Sequence, residues 1–567
     1  MSSQEHNGPV WYGRQRPPHR EWGGRLPVAL VFPAPARVGL ATLGWQVVHR
    51  LLWPQPGLAV ERFFWEGGAE PPRAYDTDTP LSAFPVIAFS LNVEDEVRGL
   101  AEVLLRGGVP LQRRDRPDWP LVMAGGPLCF LNPAPAAPAV DIFFVGEAEH
   151  GLVELLGVCE DYALSGRSKT EFLEAVRNRP GVYAPGLTDR EPGGRAVRAV
   201  AGNGTGFDPA SSCFVSPEAE FRDMFLLEVN RGCPHGCRFC AAGYIYRPPR
   251  QAALADLQRA VDEARPRKVG LVGTALTDWP DLMEFLRWLH ARKIAFSLSS
   301  MRADGLTMEL LTFLRKAGVR SLTLALEGAS TRLRRAVNKR LDEDAFLTAV
   351  ERIAALQFNH LKIYCIVGWP DEGPEDYEEL ARFLGRMRQA MDAGRGGRKA
   401  GIGHVTLSAS CLVPKPWTPF QWAPMASEEQ LTASLARVRT LAKAMPGFRF
   451  RGESPFAARL QGLLARGGED VFELVRLAAE EDLSWRAALN AWRERGGDPA
   501  AILDRERGRD EAFPWECIDL GLDREFLYRE WERYAQAQAS APCPALSREN
   551  GCGDCVRCGV GAWLNRA

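Results

Sequence analysis

Residues 228–240 read EVNRGCPHGCRFC, which sets Cys233, Cys237 and Cys240 within eight residues. The run directly follows a short apolar stretch, 224–229, of strand length. Thiolates are the usual ligands of iron–sulfur clusters, and a four-iron cluster ordinarily takes four of them. Three cysteines on a loop bent by Gly232, Pro234 and Gly236 can hold three irons and leave the fourth open. Catalytic zinc sites follow the same logic, keeping one position free where structural sites are closed. The triad is also compatible with a zinc site completed by His235, a ferredoxin-like cluster with a remote fourth cysteine, or a group of buried thiols. His235 lies inside the loop and would be crowded as a ligand, and the position after the first strand of a βα series favours the open cluster.

Working outward from the triad, apolar strands are expected at 224–229, 269–272, 294–298, 321–326, 361–367 and 404–409. Helical patterns such as 282–291, 310–317 and 345–356 separate them. Six consecutive βα units imply right-handed crossovers and a mainly parallel sheet, with chemistry at the strand C-terminal ends. Upstream, the unbroken apolar runs 27–33, 85–91, 120–126 and 140–146 suit strands buried on both faces, and 93–106 suits a crossover helix. This predicts a doubly wound α/β domain whose ligands bind beyond the strand C-termini. Gly125 and Gly126 stand at one such end, and Gly146-Glu147-Ala148-Glu149 at another. Residues 1–26 are a polar extension and 156–220 a connector, of which 192–206 reads as surface loop. Residues 427–537 read mostly as helices, and 538–567 as a short cysteine-bearing tail.

Composition narrows the classes. A formal net charge of -1 gives no global attraction to nucleic acid or to an anionic membrane. No apolar run approaches the ~20 residues of a membrane-spanning helix, and the N-terminus lacks a signal-peptide core. A reducing, cytoplasmic location is expected, because 13 cysteines would include an unpaired one under oxidation. Cys129, Cys159, Cys213, Cys365, Cys411 and Cys517 are scattered and read as small buried hydrophobes.

The tail holds a second concentration of thiols. Cys543 precedes Cys552-Gly-Asp-Cys555-Val-Arg-Cys558. A CxxCxxC run with a fourth cysteine suits an iron–sulfur cluster, and four thiolates equally suit a closed zinc site. A metal is physically reasonable in a short, Gly-rich tail with little apolar material to hold it.

CxxxCxxC with Phe239 before its last cysteine resembles the motif of the radical S-adenosylmethionine (SAM) superfamily. The segments 231–250, 300–311 (SMRADGLTMELL), 322–339 (LTLALEGASTRLRRAVNK), 361–372 (LKIYCIVGWPDE) and 405–422 are similar to B12-binding-domain radical SAM proteins. The likeness runs from about residue 27 to about 560. It implies a cobalamin-binding-like Rossmann domain over 27–155, a partial (β/α)6 barrel over 221–426, then the helical region and tail. It also implies a [4Fe–4S] cluster on Cys233, Cys237 and Cys240 that cleaves SAM reductively to a 5′-deoxyadenosyl radical, with an electron donor such as flavodoxin or ferredoxin as partner.

Carried over position by position, the resemblance puts the SAM methionine amino group at Gly273-Thr274-Ala275, where the family's usual Gly-Gly-Glu is absent and backbone carbonyls stand in. Ser299 and Arg302 would meet the SAM carboxylate or ribose, Glu327 the ribose hydroxyls, and Ile366 and Gly368 the adenine. Glu327 could equally be a salt-bridged carboxylate. Cobalamin would lie against Ser90, Gly125 and Gly126, but no histidine has an Asp two residues before it and a Gly three after it. Any cobalamin would therefore bind without a histidine to cobalt, or the domain would instead shape a substrate site. Methyl transfer is the reaction expected with cobalamin. The competing expectation is a non-catalytic iron–sulfur protein acting as an RNA- or ribosome-associated factor.

Two proline-rich stretches, 247–250 and 414–420, fit either substrate contacts or loops packed on the barrel edge. The Trp and Arg residues of 485–493 read as an ordinary packed helical region, given the interspersed acids.

Overall fold

The computed structural model describes residues 10–11, 20–188, 194–199, 207–299, 301–398, 401–547, 552, 555 and 557–565. Most of the 1–26 extension and much of 192–206 lie outside them.

The N-terminal sheet is built on β1 (Leu26–Phe32), whose seven residues are all buried. An uninterrupted apolar run can be placed only at the centre of a sheet covered on both faces. It pairs in parallel with β2 (Leu58–Phe64) on one side and β3 (Val86–Ser90) on the other. β4 (Leu121–Gly125) and β5 (Ile142–Phe144) continue the parallel sheet. β6 (Val182–Tyr183) closes the edge antiparallel, giving the order β2-β1-β3-β4-β5-β6. The order reverses between β1 and β3, the topological switch point where doubly wound sheets bind ligands. Helices α1 (Leu43–Leu52), α2 (Glu96–Arg106) and α3 (Leu152–Leu164) cover the two faces. β6 comes from the stretch expected to be only a connector.

The second series consists of β7 (Phe225–Glu228), β8 (Lys268–Val272), β9 (Ala295–Leu298), β10 (Ser321–Glu327), β11 (His360–Val367) and β12 (His404–Cys411). All pairings are parallel and follow chain order, and the Met301–Leu324 bridge joins the first three strands to the rest. Helices α4 (Leu254–Ala264), α5 (Leu282–Ala291), α6 (Met308–Lys316), α7 (Glu343–Ala355) and α8 (Pro374–Arg395) connect them. On β11 the even-numbered residues are half-buried and the odd ones buried, so one face packs on helices and the other lines the interior. Asp342 caps α7 by accepting from the N–H groups of Asp344 and Ala345, a contact worth about 1 kcal/mol.

Two expectations need correction. After α9 (Glu428–Ala444), β13 (Phe448–Gly452) adds a seventh parallel strand against β12 within the region expected to be helical. Its sequence, FRFRG, alternates with the strand period. Second, the described part of the expected surface loop is packed. Ala196–Val197 pairs with Ile518–Asp519, and Arg198 is buried, donating to the Ile245 and Arg247 carbonyls. Among the described residues no helix is long and apolar enough to cross a membrane.

Candidate active site

The cysteine loop is a closed excursion from β7. Asn230 and Arg231 pair antiparallel with Gln251 and Arg250, pinching its neck. Gly232 stands at φ +79°, and a Cβ there would lie 2.5 Å from the Tyr246 carbonyl oxygen, so only glycine lets the two limbs approach. Asn338 fastens the middle, its side-chain amide donating to the carbonyls of His235 (3.3 Å) and Gly236 (3.1 Å). Arg238 is fully buried and pairs at 2.9 Å with Glu530 of α10 (Arg524–Ala535). Burial would raise the Glu530 carboxyl, but the Ser540 hydroxyl and Arg238 outweigh it and hold it below its ordinary value.

Cys233, Cys237 and Cys240 are brought together. Burial, and then the other two thiols, push Cys240 up to about 12, and Cys233 rises to about 11 mainly through burial. Such a donor set suits a metal centre, whose charge makes thiolates of them. Burial also raises Cys237, against the opposing positive charges of Lys339, Arg302 and Arg340. The Nε2 of the His235 ring is turned to the Asp278 carboxylate. Among the described residues no three His, Cys, Asp or Glu side chains are set as the ligands of one metal ion.

The other expected contacts surround this loop. Asn230 Oδ1 accepts from Thr274 N at 2.8 Å, while its amide donates to the Ala275 carbonyl at 3.0 Å. The Thr274 hydroxyl donates to the Gly232 carbonyl at 2.6 Å. Gly273-Thr274-Ala275 is thus moulded onto the triad loop. Arg302 forms a bidentate pair with Asp304, at 3.1 and 2.6 Å, and Ser299 is exposed at the end of β9. Glu327 ends β10 beyond a register shift, at φ +67°, with Lys339 at 3.2 Å. It is therefore both salt-bridged and at the strand end. Phe239 packs edge-on against Trp369, ring centroids 5.3 Å apart, and the Trp369 indole donates to the Ile366 carbonyl. Gly368 donates its N–H to Glu372 at 2.7 Å.

Ser90, Gly125, Gly126, Gly232, Gly273 and Thr274 all line one cavity of 410 Å³ between the N-terminal sheet and the triad neck, a size typical of small-molecule sites. Its inner part runs between Leu30, Ala88 and Met123 of the sheet and Val47 and Leu52 of α1, and among the described residues no histidine lines it. The two adjacent glycines differ. A Cβ on Gly125 would meet nothing nearer than 3.7 Å, whereas one on Gly126, at φ +106°, would lie 2.4 Å from the Leu91 carbonyl oxygen. Gly125 leaves space for a ligand, and Gly126 makes a tight turn. Arg231 bridges Glu147 (3.3 Å), Glu149 (2.9 Å) and Glu228 (2.9 Å), locking the end of β5 to the neck.

Sequence reasoning missed Asn230, Asn338 and Lys339. Their only signal was adjacency to the triad and inclusion in the RAVNK stretch. Each proline-rich stretch is tied to the N-terminal domain by an ion pair, Arg250 with Glu147 and Lys415 with Glu94. Trp492 is buried and Arg486 pairs with Glu428, as a packed helical region requires.

The model of the radical SAM superfamily matches residues 227–384, spanning the triad and β7 to β11. The chain belongs to the radical SAM superfamily. A second model, for the N-terminal part of radical SAM proteins, matches residues 44–185 of this radical SAM enzyme. An uncharacterized protein of Methanocaldococcus jannaschii is 28% identical over 451 residues, 78% of this chain and 89% of that one. The ribosomal protein uS12 methylthiotransferase RimO of Elusimicrobium minutum is 24% identical over 201 residues, 32% of this chain and 47% of its own. Among solved structures, the radical SAM methyltransferase TsrM of Kitasatospora setae, with tryptophan and a SAM analogue bound, gives a TM-score of 0.49 at 13% identity. That alignment covers 83% of this chain and all of TsrM.

Proposed function

We propose that this enzyme uses Cys233, Cys237 and Cys240 to hold a [4Fe–4S] cluster, binds SAM across Gly273-Thr274-Ala275, Glu327 and Ile366, and methylates its substrate with cobalamin held in the 410 Å³ cavity. The observation carrying this reading is that the residues expected at the two cofactors, Gly125 on the sheet and Thr274 beside the triad, line one space. The lining leaves room for part of the group: Gly44 and Gly125 add no side chain to the cavity, and a Cβ at either would find space. Its apolar slot against α1 suits a flat nucleotide base, and among the described residues its lining offers no histidine to such a group. When bound, the cluster supplies the electron that cleaves SAM to a 5′-deoxyadenosyl radical, and cobalamin supplies a methyl carrier.

The chain's own residues do the rest. Asn338 and Arg238 brace the thiol loop, which fixes the three thiols that would hold the cluster. Lys339 orients the Glu327 carboxylate, an acceptor suited to a vicinal diol. Arg231 and its three carboxylates keep the sheet edge docked on the neck, so that the two halves of the cavity stay in register.

The test is retention of hydroxocobalamin on ultrafiltration. Wild type should retain about one equivalent and Gly125→Leu far less, both with the same circular dichroism. Equal retention by the two would remove cobalamin from the cavity.

A further inference from the structure

The four tail thiols occupy a place of their own in the fold. Cys543, Cys552, Cys555 and Cys558 line a second cavity, of 180 Å³, together with Gly236 of the triad loop and Arg247. Cys552, Cys555 and Cys558 are buried in a small cluster of their own, with Cys543 packed against it. Gly561 packs closely on two of them: a Cβ there would lie 2.2 Å from the Cys552 carbonyl oxygen and 2.4 Å from that of Cys555. Three facts tie this cavity to the catalytic loop. The N–H of Cys543 donates to the Pro234 carbonyl at 2.7 Å. The N–H of Ser540 donates to Asn338, the residue that also holds Gly236. Arg247 Nε donates to the Gly243 carbonyl at 2.8 Å.

Arg247 is the most telling group. Its side chain lies over the rings of Tyr244 and Phe526, and the residue is 6% exposed. Among the described residues no carboxylate stands within ion-pair distance of it; it lines the same cavity as Cys543 and Cys558, whose thiols are the ionisable groups that act on it most. A buried cation without a carboxylate is costly unless another anion faces it. Four thiolates around a metal centre are such an anion. Four thiols gathered on one ion of zinc would place the sulfurs within about 4 Å of one another, given Zn–S bonds of about 2.3 Å. Among the described residues no three of these thiols are set as the ligands of one ion, and all four line the cavity.

We propose that Cys543, Cys552, Cys555 and Cys558 form a closed second site that holds a [4Fe–4S] cluster behind the triad loop, with Arg247 as its counter-cation. The proposal does not depend on what the triad does. Its test is the iron, sulfide and zinc content of full-length protein reconstituted anaerobically with ferrous iron and sulfide. Wild type should hold about eight iron and eight sulfide per chain. The triple variant Cys233→Ala/Cys237→Ala/Cys240→Ala should keep about four of each, and adding Cys555→Ala should remove them. A folded triple variant, judged by circular dichroism, that carried one zinc or no metal would overturn the second cluster, whereas loss of the triad's share alone bears on the first. Arg247 has its own readout. In the triple variant, Arg247→Met should lower the reduction potential of the remaining cluster, and Arg247→Lys should restore it; an unchanged potential in Arg247→Met would remove the counter-cation role.

Discussion

The Lys339 ammonium stands 3.2 Å from the Glu327 carboxylate, and Glu327 itself is held at φ +67° where β10 ends. A non-glycine residue in that region costs about 1–3 kcal/mol and persists where the surroundings enforce it. Here the enforced conformation keeps a paired carboxylate beside the triad. Glu327→Gln should weaken SAM binding about tenfold, or about 1.4 kcal/mol, with iron content unchanged. Equilibrium dialysis with labelled SAM decides it, and wild-type affinity in the variant would exclude the ribose contact.

Gly125 and Gly126 should behave oppositely on substitution. Gly125→Ala adds a Cβ with no heavy atom nearer than 3.7 Å and should leave thermal stability unchanged. Gly126→Ala puts its Cβ 2.4 Å from a backbone oxygen at φ +106° and should cost about 1–3 kcal/mol. Thermal unfolding followed by circular dichroism compares the two, and equal melting temperatures would contradict the packing described.

Asn338→Ala leaves the His235 and Gly236 carbonyls without their donor and the Ser540 N–H without its acceptor. Stranded buried groups cost about 1–3 kcal/mol each. The loop should loosen, so reconstituted variant should lose triad iron to a chelator faster than wild type, and Asn338→Asp should not rescue it, since a carboxylate donates nothing. Identical chelation rates would show that Asn338 does not hold the loop.

Burial raises the Glu372 carboxyl from 4.5 to about 7. A raised carboxylate contributes stability that is fully present below its unfolded value and is lost as pH rises through the folded one. Glu372→Gln should therefore gain on wild type between pH 5 and pH 8, by about 2 kcal/mol. Urea melts at the two pH values measure the difference, and a constant gap between the two proteins would sink the assignment.

Much of this fold is written in local pattern. The seven-residue run that became β1 and the parallel series from β7 to β12 are contiguous apolar segments, and contiguity is what periodicity detects. The triad is equally local. Asn338 is a different case: it reaches the loop from about a hundred residues away, and nothing in its neighbours marks an amide that faces two carbonyls. β13 carried a legible alternation in FRFRG, obscured by helices on both sides. Gly125 and Gly126 are identical as letters, and only the position of Leu91 separates them. The His235–Asp278 pair likewise joins residues that chain order keeps apart.

The most direct measurement is the product formed from SAM by the anaerobically reconstituted, dithionite-reduced enzyme. Wild type should form 5′-deoxyadenosine, and Cys233→Ala, Cys237→Ala and Cys240→Ala should form none. No 5′-deoxyadenosine from a fully iron-loaded protein, or undiminished product from Cys237→Ala, would contradict the proposed reaction.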